Sequence, residues 1–369
     1  MHVAYFAHEL ADAAVQKRRA MLEQAGCTVS LLGFARDRGA GAPEAPGAHV
    51  LGRTRNGRFV ERVMAIAAAL PKARALRREW AGADVLIARN LEMLMLARML
   101  TFGQTKPRIV YECLDIHRLA LAGGPAGALV RALERACMKR AALIVTSSPA
   151  FEQHYFRTRQ GYRGEVLLLE NKVLGEAAAA APAPAGPPWR IAWCGVLRCR
   201  RSFDLLRAIA EAQAGRVLID LWGAPAFDQI PDFHEQLAAS HNIAYRGRYT
   251  PEQLPAIYAD AHFAWAVDFY EQGGNSDWLL PNRLYESLAF GATPIAAAGV
   301  ETARWLSARN VGVVLEAPLE ESLPAFLNAL TPDAYARAAA AARGLDPEAT
   351  RFTAIACRAF ADKLARLAA

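Results

Sequence analysis

The sequence has no run of 18 or more apolar residues free of charge, which argues against a membrane-spanning helix. Its first residues, Met1 to Phe6, lack a basic stretch and a cleavage site, so they read as a strand and not as a signal peptide. The six cysteines (Cys27, Cys113, Cys137, Cys194, Cys199, Cys357) show neither metal-ligand spacing nor a disulfide framework. Reduced, buried thiols and a cytoplasmic chain are therefore expected. No Gly-x-Gly-x-x-Gly follows the first strand and no Gly-x-x-x-x-Gly-Lys-Ser/Thr occurs, which argues against a dinucleotide dehydrogenase and a nucleotide triphosphatase. There is no Asp-x-Asp pair and no His/Cys/Glu cluster at ligand spacing, so no metal and no resident cofactor are expected. Aromatic residues make up only 9% and do not interleave with the basic ones, which disfavours nucleic acid as a partner.

What is present is a chain of 369 residues, 53% apolar and 21% charged, long enough for two cores. The formal charge of +7 is uneven. Residues 1–175 carry 26 Lys/Arg against 15 Asp/Glu, whereas residues 176–369 carry 17 against 21. A basic half points to an anionic partner such as a membrane surface or a lipid-linked phosphate. Between the halves, Pro182, Pro184, Pro187 and Pro188 lie among alanines, a segment that suits neither a helix nor a central strand. The expected organisation is an N-terminal domain over 1–175, a linker over 176–188, a second domain over 189–350, and a terminal helix over 351–369 that packs back on the first domain.

Both halves alternate short apolar runs with helical patterns. In the first, strands are expected at His2–Phe6, Thr28–Phe34, Asp84–Ile87, Arg108–Tyr111, Leu143–Thr146 and Val166–Leu169. Helices are expected at Val15–Ala25, Phe59–Trp80 with a break at Pro71, and Leu129–Arg140. In the second, strands at Arg190–Trp193, Val217–Trp222, Ile243–Arg246, Phe263–Val267 and Pro294–Ala297 alternate with helices at Phe203–Ala214, Phe233–Ser240, Pro251–Tyr258 and Asn282–Phe290. Repeated βα units predict an α/β fold of two doubly wound, Rossmann-like parallel sheets facing a cleft. Ligands of such sheets bind at the carboxyl ends of the strands.

Two segments of the second half carry chemistry. Around Asp268 to Pro294, a strand leads into a polar loop with Glu271, Gly273, Gly274, Asn275, Ser276 and Asp277, then into a helix starting Asn282-Arg283. Free N–H groups and the helix dipole at such a start favour an anion. Glu286, one turn on, can hold paired ribose hydroxyls. The other segment runs from Trp193 through Gly195, Arg198, Arg200 and Arg201 to a helix, placing guanidinium groups where they can neutralise a diphosphate without metal.

In this order the segments resemble the C-terminal domain of GT-B glycosyltransferases, specifically the large retaining family called family 4 or group 1. Gly195, Leu197 and Arg201, then Phe203-Asp204-Leu205-Leu206, match its Gly-x-Leu-x-x-x-Lys/Arg-Gly strand end and following helix, with Val196 where an arginine is usual. Asn242 to Gly247 is similar to its Asn-Val-x-Phe-x-Gly, and Glu286 to Ile295 to its Glu-Ala-Met-Ala-x-Gly-x-Pro-Val. The family pairs this Glu with another eight residues earlier. That position is Trp278 here, and Glu271, Asn275 and Asp277 are the candidates for the missing sugar contact. The first half resembles the family more loosely, through Phe6–Arg18 with Lys17 and Arg18, Asp84 to Asn90 with Arg89, and Ala142 to Ser147. His117, two residues after Asp115, falls where the family carries a histidine-bearing loop near the transferring sugar.

The resemblance implies transfer of a sugar from a nucleotide diphosphate donor, UDP before GDP, to a lipid-linked or saccharide acceptor in bacterial-type surface glycan synthesis. It implies a donor site in the second domain, an acceptor site in the first, and retention of configuration with no protein nucleophile. Were the enzyme inverting, Asp115 would be the general base. Arg55, Arg58, Arg62, Lys72, Arg74, Arg77 and Arg78 flank an apolar helix and suit an anionic bilayer surface, which would make the chain peripheral. The apolar helix Leu91–Leu100 reads more readily as core. A nucleotide-sugar epimerase of the same fold and a catalytically silent partner protein are the alternatives.

Overall fold

A computed structural model describes residues 1–36, 46–54, 59–176 and 184–369. The chain divides into two compact units: residues 1–170 together with Phe352–Ala369, and residues Asn171–Arg351. Arg55 and Arg58 lie outside the described residues, and of Arg62 only the helical backbone is described.

The first unit is built on strands β1 (His2–Ala7), β2 (Thr28–Arg36), β3 (His49–Thr54), β4 (Val85–Arg89), β5 (Arg108–Cys113), β6 (Ala141–Thr146) and β7 (Val166–Leu168). Helices α1 (Ala13–Gln24), α2 (Phe59–Ala75), α3 (Arg77–Trp80), α4 (Asn90–Leu100), α5 (Arg118–Leu121) and α6 (Gly124–Met138) connect them, with a π-helix at Phe151–Arg159. All pairings are parallel, in the order β3-β2-β1-β4-β5-β6-β7. Strand order reverses between β1 and β4, and the crevice at their carboxyl ends is the natural ligand position of the sheet.

Several boundaries differ from expectation for local reasons. Helix α1 starts two residues early because Asp12 caps it, accepting from the N–H groups of Ala14 (2.8 Å) and Val15 (3.2 Å). Helix α2 runs through Pro71, and the break falls at Leu76. Pro71 and Ala67, four residues before it, are both exposed, so water can take the carbonyl left without a donor. Strand β3 is short and carries His49, Gly52 and Arg53, so no apolar run announces it. In α4, Met93, Leu94 and Leu96 are buried, as core packing requires.

The second unit begins with a two-residue strand β8 (Val173–Leu174) and continues with β9 (Trp189–Leu197), β10 (Val217–Pro225), β11 (Ile243–Gly247), β12 (Phe263–Trp265), β13 (Thr293–Ala297) and β14 (Val313–Leu315). Its helices are α7 (Arg200–Ala212), α8 (Phe233–Ala238), α9 (Leu254–Ala259), α10 (Asn275–Trp278), α11 (Asn282–Phe290), α12 (Glu301–Ser307), α13 (Leu319–Ala329) and α14 (Pro332–Arg343), with one further turn at Pro347–Thr350. The sheet order β11-β10-β9-β12-β13-β14 repeats that of the first unit, again all parallel. Trp189, Trp193, Phe203, Phe263 and Trp265 fill the core between the sheet and α7, α13 and α14. The C-terminal helix Ala354–Ala368 groups with the first unit, where Phe352 and Phe360 lie under the guanidinium of Arg18. No helix among the described residues is long and apolar enough to cross a membrane.

Candidate active site

In the second unit the order reverses between β9 and β12, and the loops leaving these two strands meet. Gly195 lies inside β9 at φ 125° and pairs with Gly223 of β10. A Cβ on Gly223 would stand 1.8 Å from the Gly195 oxygen, so only glycine allows this approach. Beyond β9, the Arg198 guanidinium stacks on Tyr270 and that of Arg201 on Phe269, each 4.3 Å from the ring centre. Arg200 and Arg201 belong to the first turn of α7, which Cys199 caps, and not to the loop expected before it. Arg200 turns away to Asp204 and Asp232. Arg201 pairs with Glu320 at 3.1 Å in a half-exposed contact.

The loop after β12 is ordered by its own side chains. Asp268 accepts from the Tyr270 N–H (2.8 Å) and the Ser276 hydroxyl (3.0 Å), Ser276 accepts from the Glu271 N–H (2.8 Å), Asn275 donates to Glu271, and Asp277 accepts from the Gly273 N–H (3.0 Å). Asn275 and Ser276 are buried. The loop ends at α11, whose boundaries and left-handed Gly291 cap (φ 98°) coincide with the sequence expectation. Asn282 at its start is exposed. Arg283 donates to the Val267 carbonyl at 2.9 Å, and its buried Nε has no hydrogen-bond partner among the described residues. Glu286, half-buried, lies near Cys194, Tyr249 and Tyr258: burial, with the Glu286 charge nearby, pushes the Cys194 thiol up to about 12. Gly195, Arg198, Arg201, Glu271, Asn275, Ser276, Asp277, Arg283 and Glu286 thus belong to the strand ends and loops of one sheet edge.

The first unit places its polar groups differently. Glu112 of β5, only 1% exposed, accepts from Tyr5 (2.6 Å), Arg18 Nε (2.6 Å) and Arg89 Nη1 (3.1 Å). Burial alone would raise its pKa, but Arg18 and Arg89 outweigh burial and hold it below the usual carboxylate value. Arg18 and Arg89, expected to face an acceptor or a membrane, are therefore corrected to internal residues, 4% and 5% exposed. Their guanidinium groups compensate a buried carboxylate whose partners lie far apart in sequence. Lys17, by contrast, is half-buried on α1.

At the carboxyl edge, Asn90 adopts φ 69° directly after β4 and meets His8 at 3.3 Å. Asp115 and His117 follow β5 and line a polar cavity of about 50 Å³ with Asn90, Glu92 and Glu134. That volume holds about one or two waters. Burial, assisted by Glu92, lifts Glu134 above the usual carboxylate value against donation from Tyr111, Tyr155 and Gln160. Sequence reasoning missed Asp12, Glu112 and Glu134. An acidic residue inside the otherwise apolar run Ile109–Cys113 is the signal that points to Glu112. His8, Glu9 and Asp12 bring possible ligand atoms within 4.8 Å of one another. Asp12, however, already serves the α1 cap and lies 3.6 Å from Arg89.

A profile of the glycosyl transferase 4-like domain matches residues 11–172. The whole chain aligns with the succinoglycan biosynthesis protein ExoL of Rhizobium meliloti (strain 1021), 44% identical and covering 94% of that protein. Among solved structures, sucrose-phosphate synthase of Thermosynechococcus elongatus superposes with a TM-score of 0.73 at 16% identity, over 99% of this chain and 98% of that one. HepE of Anabaena, in complex with UDP and glucose, gives 0.69 at 13% identity over 99% and 100%. WaaG, a glycosyltransferase of lipopolysaccharide biosynthesis, gives 0.67 at 15% over 98% and 99%.

Proposed function

The chain belongs to the GT-B glycosyltransferases of the family 4, or group 1, type, and on that premise we propose that it transfers a sugar from UDP-sugar to a lipid-linked or saccharide acceptor in the synthesis of a bacterial surface polysaccharide. The 44% identity to a succinoglycan biosynthesis protein supports the pathway class. UDP in complexes of the HepE fold relative supports the nucleotide.

The observation that carries the donor assignment is the start of α11. Arg283, its side chain 14% exposed and its buried Nε without a hydrogen-bond partner among the described residues, lies at the amino end of a nine-residue helix, and Glu286 lies one turn on. A diphosphate there meets free N–H groups, the positive end of the helix dipole and a guanidinium. Glu286 takes the ribose hydroxyls, and Arg198 and Arg201 offset charge on the leaving diphosphate without metal. Glu271, Asp277 and Asn282 supply the sugar and phosphate contacts, with Glu271 in place of the carboxylate replaced by Trp278, and Asn275 and Ser276, expected to touch the donor, are buried and instead hold the loop in shape. Asp115 and His117 serve the transferring sugar in the first unit beside Asn90. The leaving phosphate oxygen takes the acceptor proton, and configuration is retained.

The exposed Lys72, Arg74, Arg77 and Arg78 of α2 and α3 dock the first unit on the anionic inner face of the cytoplasmic membrane, each contributing roughly 1 kcal/mol.

Incubation with UDP- and GDP-sugars and bacterial membranes tests the reading. Sugar transfer with UDP release is expected. Interconversion of free nucleotide sugars would indicate an epimerase, and no turnover with any donor would indicate a silent partner protein. Vesicles containing acidic lipid should bind the chain in a salt-sensitive way, and changing Lys72, Arg74, Arg77 and Arg78 to Gln should reduce that binding. Equal sedimentation of parent and variant would reject the membrane role.

A further inference from the structure

His117 is the N-cap of α5, and its Nδ1 accepts from the Leu119 N–H at 3.2 Å. A ring nitrogen that accepts carries no proton, so the neutral imidazole holds its proton on Nε2. This arrangement depends on α5 keeping its place, yet α5 has four residues and too few internal bonds to hold itself.

The support comes from outside. Arg131 of α6 donates through Nη1 to the Ala120 carbonyl (3.0 Å) and the Ala122 carbonyl (2.8 Å). Arg159 of the π-helix donates to the Leu121 carbonyl (2.9 Å). Two guanidinium groups thus take three successive carbonyls at the negative end of α5. Beneath them, Gly127 of α6 is buried. A Cβ there would stand 2.1 Å from the Ala122 oxygen and 2.9 Å from the Leu119 oxygen, so any side chain would lift α5 off α6. A surface connector needs none of this, because water satisfies exposed carbonyls. Convergence from two separate elements on the short helix that His117 caps is explained by a need to fix that cap.

We propose that Gly127, Arg131 and Arg159 are positioning residues that set the height and tautomer of His117 for the transfer reaction. The proposal rests on the reading of His117 as a residue of the reaction site. It also accounts for two of the basic residues in the first half without a ligand.

The test is the nitrogen spectrum of the His117 imidazole in the full chain, assigned with His117→Asn. The parent should show one Nε2-protonated tautomer. Arg131→Gln and Gly127→Ala should average the two nitrogens, whereas Arg131→Lys, which keeps the positive charge and the reach that Gln lacks, should retain the parent pattern. Turnover with the donor found above should fall about ten- to a hundredfold in Arg131→Gln and recover in Arg131→Lys, with UDP affinity unchanged. If Gly127→Ala fails to fold, the two Arg131 variants still decide. A parent-like imidazole in Arg131→Gln, or equal turnover losses in Gln and Lys variants, would overturn the clamp. Full turnover in His117→Asn would overturn the reading of His117 itself, and with it the purpose of the clamp, even where the imidazole responds.

Discussion

The two units share one strand order and use it in opposite ways. In the first, charged groups near the strand ends turn inward. Glu112 gathers Tyr5, Arg18 and Arg89 in a core of almost no exposure, and Asp12 serves a helix cap. In the second, the corresponding edge is stripped by Gly195 and Gly223 and followed by a polar loop, an uncapped helix start and arginines stacked on aromatic rings. One edge is stiffened by charges paired inside the core, although Arg89 Nε has no hydrogen-bond partner among the described residues, whereas the other, in the function proposed above, presents backbone N–H groups and the Arg283 guanidinium to a ligand. A net charge counted over a half-chain does not distinguish these uses. Part of the basic surplus of the first half compensates buried carboxylate or clamps a short helix, and only the rest faces outward.

The strongest way to break this contrast is at Glu112. Glu112→Gln leaves buried Arg18 without its carboxylate and Arg89 with Asp12 at 3.6 Å, and should cost the first unit about 3–5 kcal/mol. Trp80, the one tryptophan in residues 1–170 and itself buried, reports that unfolding by fluorescence in urea once the other tryptophans are replaced by Phe. The pH sign follows from the depressed folded pKa. The stabilisation is present above the unfolded carboxyl value of 4.5 and is lost as pH falls through the lower folded value. The variant should therefore lose acid sensitivity along with stability. An unchanged urea midpoint would mean that the network is not holding this edge.

Glu286→Ala should weaken UDP binding by about 1.5–3 kcal/mol, the scale of hydrogen bonds to a charged group, with little effect on folding. Calorimetry checks it, and unchanged affinity would remove the ribose role. Gly223→Ala sharpens the same side of the contrast. The left-handed backbone alone costs about 1–3 kcal/mol, before the clash with the Gly195 oxygen. Thermal unfolding should show the loss, and the first unit's Trp80 signal should not move.

How much of this was legible follows the range of the interactions involved. Helix α11 could be bounded to the residue because its stop signal, Gly291, is local. The alternation of strands and helices was legible for the same reason. The Glu112 network was not, since its partners Arg18 and Tyr5 lie 94 and 107 residues away and no local pattern announces such pairing. Local pattern alone accordingly puts Arg18 and Arg89 at a surface. Sequence alone puts Arg200 and Arg201 in a loop, because Cys199 is an uncommon cap. Sequence alone does not announce the π-helix at Phe151–Arg159, because Phe156, five residues after Phe151, falls off the 3.6-residue stripe that Phe151 and Tyr155 share.

The smallest expected effect lies at Glu320 and decides what Arg201 is for. Arg201 stacks on Phe269 and pairs with Glu320, and both side chains of the pair are well exposed, 43% and 51%. Exposed pairs of this kind contribute about 0.2–1 kcal/mol, so Glu320→Ala should hardly change the melting temperature. The direction of the binding effect carries the information. If Arg201 offsets charge on the diphosphate, removing a competing carboxylate leaves the guanidinium over Phe269 and more available, so UDP should bind equally or slightly more tightly, while Arg201→Ala should weaken binding or slow turnover. If Arg201 instead only ties α7 to α13, both single substitutions should lower stability by similar small amounts and neither should alter UDP affinity. Calorimetry and thermal unfolding on the two variants separate these outcomes. A loss of UDP affinity in Glu320→Ala would show that the ion pair itself, and not the arginine alone, holds the donor edge in shape.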